Sequence, residues 1–247
     1  MPPLLNALPR PAFVYFDLDD TLLDHRHAEQ QAWRDLVATY PEAFQPHALS
    51  AVQATYRQEN RRLWRAYASG TVDRATLQLD RFAHTLAALH IKSLDPAEVG
   101  AAYMRHYATH WTLQEGAADL FHWVAERRPV GLLTNGFAEV QHAKLDRFPF
   151  LRAQAQAVII SEEVGYLKPD QRLFAHATAQ TGVDASAILY VGDSFTSDVE
   201  GGLGAGWQVA WYTPDGAAAS QALPEGAPAY RFSTWATLRA HLGRPRV

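Results

Sequence analysis

The 247-residue chain contains no cysteine, which excludes disulfides, thiolate zinc sites and cysteine nucleophiles together. It has no basic surplus: 22 Lys and Arg against 26 Asp and Glu leave a formal charge of −4, with no basic arm or Arg-rich stripe. A nucleic-acid polymer is therefore not an expected partner. No apolar stretch approaches the ~18 residues that a membrane helix requires. The first ten residues, Met1 to Arg10, lack a basic leader and are broken by Pro2, Pro3 and Pro9, so they do not read as a signal peptide. Together with the missing cysteines, this fits a reducing compartment, and a cytoplasmic location is expected. Eleven histidines are present, but no HExxH. His25 and His27 lack a placed acidic third ligand, as do His106 and His110, so these are read as solvated surface groups rather than a metal site. Internal repeats and low-complexity tracts are also missing.

What is present is a composition for a packed fold, 48% hydrophobic and 19% charged, organised around one abrupt transition. The apolar run Phe13-Val14-Tyr15-Phe16 ends in Asp17-Leu18-Asp19-Asp20-Thr21. The run reads as a buried strand. If the chain stays extended, Asp17 and Asp19 project from the same side, close enough to share a cation, and Mg²⁺ suits an all-oxygen donor set. A strand that ends in a solvated acidic turn fits the same residues. Three further stretches bear on the choice: Val130-Gly131-Leu132-Leu133-Thr134-Asn135-Gly136, then Gly165-Tyr166-Leu167-Lys168-Pro169, then Ile188-Leu189-Tyr190-Val191-Gly192-Asp193, followed by Asp198. The first and last are apolar strands that open into polar groups at their carboxyl ends, where open parallel sheets bind ligands.

Between Leu23 and Trp111 the periodicity is helical. Ala32, Leu36 and Val37 share one face, Leu63, Trp64 and Tyr67 another, and Leu77, Phe82, Leu86 and Leu89 a third. Asp95-Pro96-Ala97-Glu98 is a helix start, with an Asp N-cap, Pro in the first turn and Glu at the capping-box position. From Trp111 onward strands and helices alternate, with helices over 117–124, 140–148 and 171–181 and strands over 130–133, 157–160, 188–191 and 209–212. That rhythm predicts right-handed crossovers and a parallel sheet. The Gly201-Gly202-Leu203-Gly204 run follows an acidic strand end rather than opening a first βα turn, so close helix–sheet packing explains it better than dinucleotide binding. Residues 215–228 read as a surface loop before a last strand near Tyr230 and a closing helix over 235–242. The expected organisation is a core formed by residues 1–24 and 111–247, with a helical unit, 25–110, inserted after the first strand.

The four stretches, in this order, resemble the haloacid dehalogenase superfamily, whose pattern is DxDx[TV], a Ser or Thr, a Lys, and an acidic GD-x₄-D. The resemblance implies an α/β fold, a Rossmann-like parallel sheet with helices on both faces, and a helical-bundle cap of the C1 type. It implies Asp17 as a nucleophile that forms an aspartyl-phosphate, and Asp19 as general acid and then general base, with its backbone carbonyl on the metal. Lys168 would neutralise charge. Thr134, Asn135 and Gly136 would bind the phosphoryl oxygens. Asp17, Asp19, Asp193 and Asp198 would form the metal site for Mg²⁺ or Mn²⁺, with Asp198 orienting metal waters or Lys168.

A Mg²⁺-dependent phosphomonoester hydrolase is the expected activity. Asn60-Arg61-Arg62-Leu63-Trp64, Thr134-Asn135-Gly136-Phe137 and Ile159-Ile160-Ser161-Glu162-Glu163-Val164-Gly165 are similar to the pyrimidine 5′-nucleotidase branch, which implies a nucleoside monophosphate as substrate. A sugar-phosphate or phosphoglycolate phosphatase and a phosphomutase stay open as alternatives. A 2-haloacid dehalogenase needs no acid at Asp19. A receiver-like phospho-acceptor switch would also use an acidic pair, a Thr and a Lys, but it has no need of the helical insert. The expected partner is a small phosphorylated metabolite, and the chain is expected to be a monomer or homodimer.

Overall fold

The computed structural model describes residues 10–214 and 221–243. The amino-terminal stretch 1–9 and the first part of the expected surface loop, 215–220, lie outside the described residues. The chain divides into two compact units, Met1–Asp24 with Leu113–Val247, and His25–Thr112.

In the first unit the apolar runs become strands, and the four central ones are buried along their whole length, the pattern of a sheet covered on both sides. They are β1 (Phe13–Phe16), β2 (Val130–Thr134), β3 (Ala155–Ile160), β4 (Ile188–Gly192), β5 (Gln208–Tyr212) and β6 (Ala229–Phe232). The sheet order is β3-β2-β1-β4-β5-β6, and every pairing is parallel. β1 lies in the middle: Val14 is in register with Val130 on one side and with Leu189 on the other. The connections from β1 and from β3 therefore run to opposite halves of the sheet, and a crevice opens at the carboxyl ends of β1 and β4.

One side of the sheet packs on an aromatic cluster of Phe13, Tyr15, Phe174, Tyr190 and Trp207. Tyr15 and Trp207 are stacked at 5.3 Å between ring centroids. The glycine run serves close approach: a Cβ on Gly201 would lie 2.6 Å from the Phe174 ring, and one on Gly202 2.8 Å from Val209. The Gln171–Ala179 helix starts at an Asp170 cap and stops two residues short of the sequence expectation. Gln180 and Thr181 have by then tightened to bonds with the carbonyls three residues back, and Gly182 turns the chain at φ +69°.

The second unit is helical, with long helices His25–Thr39, Leu49–Ala68, Arg74–Ala88 and Pro96–Thr109. Its centre is Trp33, fully buried, with the rings of Tyr56, Tyr103 and Phe82 at 5.0, 5.6 and 6.4 Å. Asp95 caps the last helix, accepting from the amides of Ala97 at 2.8 Å and Glu98 at 3.1 Å. Among the described residues, no helix is long and apolar enough to cross a membrane.

Candidate active site

Asp17 is the first residue beyond β1, and its amide still donates to Val191 O at 2.9 Å, so the ladder itself sets where its carboxylate emerges. Lys168 arrives from a loop. That loop is clamped by the Asn135 side chain, which accepts from the Lys168 amide at 2.8 Å and donates to its carbonyl at 3.1 Å. The buried Lys168 Nζ then donates to Asp17 Oδ1 at 2.7 Å, Asp198 Oδ1 at 2.7 Å and the Tyr190 hydroxyl at 2.6 Å. An ammonium has three hydrogens, and all three are used. Tyr190 in turn donates to Leu133 O at 2.8 Å, which leaves its oxygen turned to accept from the lysine.

Charge is concentrated here beyond what burial tolerates without compensation. The Asp17 carboxyl is pushed up to about 7, chiefly by burial, with Lys168 pulling it down and the Asp198 and Asp19 charges pushing it up. For Lys168, burial alone would lower the pKa, but Asp17 and Asp198 outweigh it and the group is held above its ordinary value. Desolvation of Asp193, then the charges of Asp198, Asp17 and Asp20, drive its carboxyl well above the usual range. Carboxylate oxygens of Asp17, Asp193 and Asp198 all lie within 4.8 Å of one another. An all-oxygen set with that much mutual repulsion fits a hard divalent cation such as Mg²⁺ or Mn²⁺. Asp198 is fully buried in the irregular Phe195–Glu200 turn of helix. Its Oδ2 accepts from the Ser194 amide, and a Cβ on Gly192 would collide with its carboxylate.

Asp19 is placed differently from the extended-strand expectation. β1 ends at Phe16, and the Thr21 and Leu23 amides both turn back to Leu18 O, so Asp19 does not follow Asp17 along one strand face. Its two oxygens meet Lys144 Nζ at 2.6 and 2.7 Å instead. Gln141 also reaches it, at 3.1 Å, and joins it to the Thr134 hydroxyl at 2.8 Å. Thr134 is buried at the end of β2, while the Gly136 amide is engaged by Ser161 Oγ at 3.2 Å. Asp20 adopts φ +57° in the turn after Asp19.

Sequence reasoning did not single out Tyr190, Gln141 or Lys144. The one available signal was their spacing. Gln141 and Lys144 lie three apart on the Ala138–Arg147 helix, on one face directly after the Thr134-Asn135-Gly136 stretch.

Residues 13–206 match the family model of the haloacid dehalogenase-like hydrolases. The chain is 32% identical over 227 residues to the pyrimidine 5′-nucleotidase YjjG of Escherichia coli K12, a match covering 90% of this chain and 93% of that protein. It is 28% identical over 197 residues to a glyceraldehyde 3-phosphate phosphatase of Methanopyrus kandleri, covering 78% and 80% of the two chains. The crystal structure of the HAD-hydrolase YfnB of Bacillus subtilis, bound to magnesium, superposes with a TM-score of 0.79 at 28% identity, over 96% of this chain and all of that one.

Proposed function

The chain belongs to the haloacid dehalogenase-like hydrolases, and on that premise we propose that it is a divalent-metal-dependent phosphomonoester hydrolase acting through an aspartyl-phosphate, with pyrimidine nucleoside 5′-monophosphates as its preferred substrates. The observation that carries this reading is the arrangement around Asp17: a nucleophile 2.7 Å from a buried ammonium, beside two more carboxylates within cation-sharing distance.

Asp17, Asp193 and Asp198 would hold the cation, which when bound offsets the repulsion between carboxylates and phosphate. The chain's own groups perform the covalent chemistry. A carboxylate oxygen of Asp17 forms the new bond to phosphorus as the bond to the leaving oxygen breaks, and Asp19 delivers the proton that the departing alkoxide takes up. Water then attacks the aspartyl-phosphate, its proton passes to Asp19, and Asp17 is released with inorganic phosphate. Lys168 is positioned to spread the negative charge that develops on the transferring group, and Thr134 to donate to one of its oxygens.

The preference for pyrimidine nucleotides is supported by the similarity to the E. coli nucleotidase. The similarity to the M. kandleri phosphatase makes a small sugar phosphate the second reading. A panel of monoesters compared by kcat/KM with Mg²⁺ present decides between them. dUMP, dTMP and UMP are expected to lead; if glyceraldehyde 3-phosphate leads and these are among the poorest, the nucleotidase assignment is overturned and the phosphatase assignment stands. If excess chelator leaves turnover undiminished, metal dependence is wrong.

A further inference from the structure

The site contains a second lysine that the chemistry above does not use. Lys144 is almost fully buried, its side chain only 3% exposed, whereas Asp19 is 27% exposed. A desolvated ammonium is costly unless it is matched by an anion, and Lys144 is matched by both oxygens of Asp19 at 2.6 and 2.7 Å. That grip is more than the local backbone requires. The turn carrying Asp19 is already closed by the Thr21 and Leu23 amides on Leu18 O, and by backbone bridging between Asp19 and Leu23.

Gln141's own geometry ranks its contact to Asp19 below that of the lysine. Its Nε2 faces three acceptors, Thr134 Oγ1 at 2.8 Å, Asn135 O at 3.0 Å and Asp19 Oδ2 at 3.1 Å, with only two hydrogens to give. The longest of the three is the one to Asp19. Gln141 can therefore lose Asp19 and keep both hydrogens satisfied, whereas Lys144 would give up two short charged contacts.

We propose that Lys144 is a positioning residue for Asp19: its two-oxygen grip sets the place from which the acid/base carboxylate reaches the reacting oxygen and to which it returns. The inference rests on the reading of Asp19 as acid/base. An ion pair that merely fastened the helix to the turn would be registered in stability. One that positions Asp19 is registered in turnover, and only while Asp19 is there to be positioned.

The test is a double-mutant cycle in the full-length Mg²⁺-loaded protein, with kcat and KM measured on an alkyl phosphate monoester for wild type, Lys144→Met, Asp19→Asn and the double variant. Lys144→Met is expected to lower kcat on the order of 10- to 100-fold with KM within about threefold, and to add less than about twofold to Asp19→Asn. Lys144→Arg, which keeps a two-point donor, should recover most of the lost kcat. Should Lys144→Met fail to fold, Lys144→Gln runs the same cycle without a buried charge. Unchanged kcat in the Lys144 variant overturns the proposal. So does an equal loss in both backgrounds, or a loss confined to KM, which would assign Lys144 to phosphate binding. A wild type that turns over no monoester, or an Asp19→Asn variant as active as wild type, removes the acid/base reading and the inference with it. An impaired Asp19→Asn beside an unimpaired Lys144→Met removes the inference alone.

Discussion

The two units bury polar groups for different ends. In the sheet unit Asp17, Thr134, Gln141, Lys144, Lys168 and Asp198 are all buried, and they are bonded to one another, to Tyr190 or to Asp19 at the carboxyl ends of β1, β2 and β4. In the helical unit the interior is a ring of aromatics around Trp33, and among the described residues it buries few polar side chains, Glu29, Arg81 and Thr85. Arg81 lies over the Phe82 ring, 4.9 Å from its centroid, with Nε lacking a hydrogen-bond partner, and Asn60 Oδ1 lacks one as well. Some of its ion pairs, such as His110 with Asp35 at 2.6 Å, lie toward its surface, while Glu29 is buried and paired with Arg57 at 3.8 Å. A buried charged network stores unfavourable burial for use in chemistry, whereas an aromatic centre stores favourable burial for holding shape.

Substitutions that separate activity from stability sharpen this contrast. The largest effect is expected for Asp17→Asn, which removes the proposed nucleophile: turnover should fall on the order of 10⁴-fold or more, while the metal-free protein melts no lower than wild type. The pH dependence has a definite sign. Because the Asp17 carboxyl rises from its ordinary 3.8 to about 7 on folding, the folded state binds its proton more tightly, and the stability this contributes is present in acid and is lost as pH rises through that window. The melting-temperature advantage of Asp17→Asn over metal-free wild type should therefore grow from pH 4 to pH 7. An advantage that shrinks would contradict the burial argument.

On the other side of the contrast, Trp33→Ala should cost about 3–5 kcal/mol in denaturant unfolding, the usual range for emptying an aromatic site in a core. A loss below 1 kcal/mol, far under that range, would show the aromatic ring to be ornamental to stability. Lys168→Ala comes next in size, with kcat/KM down on the order of 10²- to 10³-fold for the loss of a charge donor to the transferring group; a drop of only a few-fold would place Lys168 outside the chemistry. The smallest effect is the metal's own. Mg²⁺ at one hundred times its dissociation constant should stabilise wild type by about 2.7 kcal/mol, and Asp193→Asn should abolish that gain while raising the melting temperature of the metal-free protein. Equal Mg²⁺ stabilisation of both proteins would dissolve the proposed cation site.

The fold was legible because an all-parallel sheet writes itself as short, uniformly apolar runs, and Val130–Thr134 and Ile188–Gly192 carry no competing periodicity. The residues of the candidate site that lie at strand ends, Asp17, Thr134 and Asp193, are marked in the sequence by an apolar run breaking into polarity. Lys144 carries no such mark. On the Ala138–Arg147 helix it reads as an ordinary charged residue, and its burial follows from a partner, Asp19, that is remote in the chain and brought near by the sheet. Tyr190 is hidden for the opposite reason: its ring fits an apolar strand, and nothing local tells that its hydroxyl meets a lysine. The extended course on which the same-side placement of Asp17 and Asp19 was conditional stops at one backbone fact, the end of β1 at Phe16.

The central place of β1 also governs how the chain is made. Phe13–Phe16 is synthesised before both of its neighbours in the sheet, β2 and β4, which lie beyond the whole helical unit. Four consecutive buried residues, three of them aromatic, must wait unpaired until the helical unit has been made. Such distant pairing slows folding and leaves an adhesive strand open to other chains. The newborn protein is thus most vulnerable to aggregation at the strand that later presents Asp17, and a holdase that shields this segment should raise the yield of folded enzyme more than one that acts after release.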